Sequence, residues 1–177
     1  MQQDQLVNLL GALSLALTDA QQQAAREASG LGTSACAALV VLSFYPGSSI
    51  AALAPILGLT HSVVVRLADT LVGQGLVART AGAVDKRQVR LSLTPAGAVT
   101  SRAILEARRQ TLDTALAAVP EAIRDAAGVA ISAMLTGLTR SRAQADHICR
   151  MCDEAVCPGA DCPVECAAVR CAEHPPC

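Results

Sequence analysis

The sequence predicts a mainly α-helical chain with one small two-stranded β-hairpin near its middle. Hydrophobic residues make up 52% of the 177, chiefly Ala and Leu, which are strong helix formers. Aromatic residues are 1%, Phe44 and Tyr45 alone, whereas sandwich strands favour aromatic and β-branched side chains. Apolar residues recur three and four apart along most of the chain. They change to strict alternation only at Val89-Arg90-Leu91-Ser92-Leu93.

The first element is a long amphipathic helix. Leu6, Leu9, Leu13, Ala16 and Ala20 share one face, widened by Leu10 and Leu17. Ser29-Gly30-Leu31-Gly32 ends it, glycine supplying the C-cap and the turn. Thr33 or Ser34 caps a second helix carrying Leu39 to Phe44, which Pro46-Gly47 stops. Ser48 or Ser49 caps a short helix from Ile50 to Leu57, and Gly58 breaks it. Thr60 caps the next helix, Ser62 to about Gly73. Helix, glycine turn and helix at this spacing form a helix-turn-helix unit.

The pattern then shortens. Leu76 to Arg79 reads as a strand, Ala81 to Lys86 as a turn-rich tip, and Val89 to Leu93 as the returning strand. Thr94-Pro95 is an N-cap with proline at the first helical position. A long helix runs from there to about Val119, and Pro120-Glu121 opens another that reaches roughly Asp146.

Charge and cysteine divide the chain at that point. Residues 1–146 carry twelve Lys+Arg against ten Asp+Glu; residues 147–177 carry two against five and hold seven of the eight cysteines. Four segments follow: 1–32, 33–97, 98–146 and the cysteine-rich 147–177. The net charge of −1 excludes a generally basic nucleic-acid coat, and the aromatic poverty argues against single-strand stacking platforms. The apolar stretch Leu6–Leu17 is too short to cross a bilayer. No positively charged segment opens the chain, so no membrane association and a cytoplasmic location are expected.

A helix-turn-helix followed at once by a β-hairpin is a winged helix, and DNA chemistry accounts for its residues. The second helix presents small or polar side chains to base edges in the major groove. Thr60, His61 and Ser62 stand there, Val63 and Val64 are placed for thymine methyl groups, and Arg66 lies one turn on. Val65, Leu67 or Ala68, Leu71 and Val72 are expected to pack inward. The hairpin tip carries Asp85, Lys86 and Arg87. Residues 60–95 hold five basic residues (Arg66, Arg79, Lys86, Arg87, Arg90) against two acids, a local basic patch suited to a duplex. Arg79 and Arg90 read equally well as solvated strand residues.

The run Asp85-Lys86-Arg87, then Val89-Arg90-Leu91-Ser92-Leu93-Thr94-Pro95-Ala96-Gly97, resembles the wing motif of the multiple-antibiotic-resistance-type (MarR) transcriptional regulators. Ala51 to Thr80 resembles that family's helix-turn-helix and the start of its wing. The resemblance implies a homodimer whose N- and C-terminal helices interlock, each subunit reading half of a palindromic double-stranded operator. By the same analogy Arg87 enters the minor groove, Asp85 holds it, and a small-molecule effector or a redox event alters occupancy.

The tail adds something of its own. Cys149, Cys152, Cys157 and Cys162 follow C-x2-C-x4-C-x4-C, with Pro158-Gly159 turning between the last two. Such clusters bind metal more often than they form disulfides in reducing compartments. A tetrathiolate zinc site, with spacing similar to a zinc knuckle, is the first reading. An iron–sulfur cluster is the alternative, since Pro163 follows the fourth cysteine. Cys166, Cys171, His174 and Cys177 offer a weaker second set, and Cys36 reads as a small buried hydrophobe. No nucleophile–base pair is evident, so the chain is read as a DNA-binding regulator, a repressor, rather than an enzyme. The competing reading is a small metal-binding or thiol-redox protein whose tail is the active part.

Overall fold

The computed structural model describes residues 2–81, 89–157 and 159–173. Helix α1 (Gln3–Ser29) ends where Gly30 turns left-handed at φ +69 and donates its N–H to the Arg26 carbonyl. Helix α2 (Thr33–Phe44) is apolar on every side, and Ala35 to Leu42 are all buried, as expected of a helix that fills a domain centre. Its N-cap is Gly32, with no side-chain bond, rather than Thr33 or Ser34.

Strand β1 (Ser48–Ser49) was not legible as a strand. It pairs antiparallel with β3 (Val89–Leu93), which pairs in turn with β2 (Val77–Ala81). Among the described residues the sheet therefore has three strands in the order β1-β3-β2, not two. The register sets Val77 opposite Leu93 and Arg79 opposite Leu91, so Val77 and Leu91 face the core together. Helix α3 (Ile50–Leu57) is capped by Ser49, whose Oγ accepts from the Ala52 N–H at 3.1 Å. Gly58 ends it at φ +65, and helix α4 (His61–Gly73) follows.

Helix α5 (Pro95–Ala117) starts as the sequence predicts, with Thr94 Oγ1 accepting from the Gly97 N–H at 3.1 Å and donating to the Gly75 carbonyl at 2.6 Å. Gly97 has no room for a side chain, because a Cβ there would lie 2.0 Å from the Leu76 carbonyl oxygen. The wing root and α5 are thereby joined backbone to backbone.

The single helix expected to reach Asp146 is corrected. A 3₁₀ turn (Glu121–Ile123) leads into α6 (Arg124–Leu138), and α7 (Arg142–Cys149) follows. The break falls at Thr139, which is extended and donates its hydroxyl to the Leu135 carbonyl; Ser141 then recaps the chain, accepting from the Gln144 N–H. After a second 3₁₀ turn (Gly159–Asp161), α8 (Pro163–Glu173) packs on α6 and α7. Among the described residues no single helix is long and apolar enough to cross a membrane.

The main core joins α2, α3, α4, the sheet and α5, with Leu39 and Ile104 fully enclosed. A small second core of Ala145, Cys162, Val164 and Ala168 lies between α7 and α8.

Candidate nucleic-acid interface

Helix α4 is held by one face. Val64, Ala68 and Leu71 fall at i, i+4 and i+7, and all three are buried. That phase corrects one sequence expectation: Val64 is only 1% exposed and serves the core, so it is unavailable to a thymine methyl group. Val65, expected inside, is half-buried. Three consecutive valines carry no phase of their own, and the register is set further along by Ala68 and Leu71.

The opposite face is open. Thr60, His61, Ser62 and Arg66 are exposed, and Val63 is 41% exposed. Thr60 is the N-cap by backbone position, its carbonyl accepting from the Val63 and Val64 N–H groups at 3.1 Å. Its hydroxyl meets Ser62 Oγ at 3.3 Å instead of capping. The first turn of α4 thus offers hydroxyls, an imidazole, a methyl-bearing side chain and, one turn later, a guanidinium on one surface. Arg66 makes no ion pair among the described residues.

Arg79 is placed differently. Its Nη1 lies 2.8 Å from Asp69 Oδ1, so β2 is tied to the middle of α4 and the charge is partly spent within the protein. Arg90 donates Nη1 to the Gly47 carbonyl at 3.3 Å. Asp85, Lys86 and Arg87 lie outside the described residues, as do His174 and Cys177 of the second cysteine set.

Sequence reasoning missed what meets the turn between α3 and α4. His147 of α7 donates its Nδ1–H to the Ile56 carbonyl at 2.9 Å; a carbonyl can only accept, which fixes the proton on Nδ1. The ring lies against Gly58, where a Cβ would come within 2.9 Å of Cε1. Beyond it, Tyr45 donates its hydroxyl to Glu154 Oε2 at 3.0 Å, and Met151 packs on the main core. Burial, with the Glu154 carboxylate next, pushes the Tyr45 phenol up to about 12. Arg142 bridges Asp146 at 3.0 Å and Glu165 at 2.7 Å, fastening α7 to α8. The tail is thus seated on the reading unit, not trailing from it. Its partners lie about ninety residues away in sequence, so local spacing carried no sign of them.

The four tail thiols are free of disulfides, and Cys149 packs against the small core that holds Cys162. The neighbouring Cys149 thiol lowers Cys152 to about 6 despite its burial, while Cys152 and then burial raise Cys149. Among the described residues no group of three or more His, Cys, Asp or Glu side chains is already arranged to hold a metal ion. Nor is the tail a zinc-knuckle hairpin, since helices flank its loop. Cys36 is buried as expected, and that burial raises its thiol.

Comparisons with known proteins bear on this region and on the fold around it. The MarR family model matches residues 29–88. Over 79 residues the chain is 39% identical to the HTH-type transcriptional regulator PetP of Rhodobacter capsulatus. That match takes in 44% of this chain and 48% of PetP, so the chain spans about half the length of the relative it matches. Among solved structures, RV1404 from Mycobacterium tuberculosis superposes with a TM-score of 0.67 at 24% identity, covering 76% of this chain and 92% of that one. A mutant of S. aureus MepR, bound to an oligodeoxyribonucleotide, gives 0.59 at 19%, covering 75% and 97%. Residues 29–88 of this chain match the MarR family model, and the fold around them is the one these solved structures share.

Proposed function

We propose that this chain is a homodimeric transcriptional regulator, a repressor, that binds a palindromic double-stranded DNA site. The observation that carries the reading is the two-sidedness of α4. Val64, Ala68 and Leu71 seal its inner face, while His61, Ser62, Val63 and Arg66 stand exposed beside the wing. A helix anchored on one side with an open polar N-terminal turn is the arrangement that enters a major groove. The regulator PetP and the oligonucleotide-bound MepR fold support the same reading. They give no support to a chain whose tail alone is active.

Dimerisation is supported by apolar surface that one chain leaves uncovered. Leu6, Leu9 and Leu13 on α1 are 43–53% exposed together with Leu10, and Ile131, Met134 and Leu138, which share one face of α6, are 40–59% exposed. Contiguous apolar faces of this kind mark association surfaces. The stripe read as amphipathic from the sequence has its polar side in water and its apolar side without cover from its own chain.

Equilibrium binding to the intergenic duplex beside the chain's own gene tests the reading. Wild type binds in a salt-dependent manner, and Arg66→Ala and Arg87→Ala each cost about 1–3 kcal/mol of affinity. Binding indistinguishable from that to random duplex, or unchanged in both variants, overturns it.

A further inference from the structure

The loop between α7 and α8 is ordered on very little. Its core consists of two alanines, a valine and a cysteine, with Leu135, Ile148 and Cys149 against them. Burying so small an apolar surface does not offset the entropy of fixing the described residues 150–157 and 159–162. A unit of this size ordinarily depends on a cross-link, and the thiols of this loop form none with one another.

Those thiols are placed at its structural corners. Cys149 ends α7, and Cys152 is one turn on, its N–H donating to the Cys149 carbonyl at 2.8 Å. Cys157 closes the following turn on the Asp153 carbonyl at 3.3 Å. Cys162 precedes α8, and its carbonyl accepts from the Cys166 N–H at 2.9 Å. Cys149 also packs against the small core that contains Cys162.

We propose that Cys149, Cys152, Cys157 and Cys162 take up one zinc ion, which ties α7 to α8 and fixes the tail across the turn of the helix-turn-helix. Among the described residues no three of these side chains are gathered around one point, so the ion itself completes the tetrahedron. Cys157 is exposed in a turn outside any helix, so its side chain is not held by packing. Sulfur donors select a soft or borderline ion over magnesium or calcium. Cys149 and Cys152, one turn apart with the Cys152 N–H on the Cys149 carbonyl at 2.8 Å, are spaced for two sulfurs on a single ion. Around one zinc with Zn–S about 2.3 Å, the sulfurs stand about 3.8 Å apart, whereas cysteines that ligate different irons are spread by the cluster between them. Three of the tail's contacts then become consequences of occupancy: His147 of α7 on the Ile56 carbonyl, and from the loop Glu154 on Tyr45 and Met151 on the main core.

The test uses the full chain, purified under reductant, loaded with zinc and dialysed against a weak chelator. Elemental analysis is expected to give one zinc per chain, retained in Cys36→Ser and lost in Cys149→Ser/Cys152→Ser. Cobalt(II) loading of the unmutated chain is expected to give the visible bands and sulfur charge-transfer absorption of a tetrahedral tetrathiolate, which needs no folded variant. Zinc removal is expected to speed hydrogen exchange at Gly58 and Leu59, whose amides close the α3 terminus. Sub-stoichiometric zinc, zinc retained in the double variant, an iron–sulfur chromophore, or a Cys149–Cys152 disulfide in the reduced preparation overturns the proposal. None of these readouts uses DNA, so the result stands apart from the DNA-binding reading.

Discussion

Tyr45 is the chain's single tyrosine and there is no tryptophan, so phenolate absorbance reports on one side chain. Its phenol is held up to about 12 by burial first and by the Glu154 carboxylate second. The fold therefore favours the neutral phenol. That contribution is complete below the unfolded value near 10 and is lost as pH rises through about 12. In a spectrophotometric titration Glu154→Ala is expected to move the midpoint down towards 10 without reaching it, since burial remains. An unmoved midpoint would mean that the tail does not sit on α2. At Gly97 the expected outcome is steric. A methyl group there meets the Leu76 carbonyl, and because both partners are backbone, no rotamer relieves it. Gly97→Ala is expected to cost about 3 kcal/mol in urea unfolding, at the upper end for overpacking.

At the scale of elements, α4 separates two arginines that composition treats alike. Arg79 is paired with Asp69 across the β2–α4 contact at partial exposure. Arg79→Ala is expected to change unfolding stability by less than about 1 kcal/mol and to weaken DNA binding less than Arg66→Ala in the same anisotropy titration. Equal losses of affinity would place Arg79 on the duplex as well. The helices were legible in the sequence wherever their ends carry chemistry. Gly30, Ser49, Gly58 and Thr94 all stand at the boundaries their residue types indicated. What was not legible depended on partners far along the chain. The phase of Val63-Val64-Val65 is decided by Ala68 and Leu71 beneath them. Ser48–Ser49 becomes a strand only because β3 pairs with it. The seating of α7 rests on a carbonyl at Ile56 that no local pattern identifies.

For the whole molecule, the apolar faces of α1 and α6 decide the assembly. Leu9 and Leu13 are exposed on the same stripe of α1, and a second copy is the partner that the dimeric reading supplies. Sedimentation is expected to show a dimer in the wild type. Leu9→Asp/Leu13→Asp is expected to sediment as a monomer with its helical content retained, and a monomeric wild type would remove the symmetric account. Two exposed α4 helices related by a two-fold axis should then read two half-sites about one helical turn apart. Selection of bound sequences from a pool of random duplexes measures this directly. The account predicts enrichment of an inverted repeat whose half-sites are centred roughly 10 base pairs apart, with enrichment abolished in Arg66→Ala. A pool that stays random, or that yields only an unrepeated half-site, would contradict it.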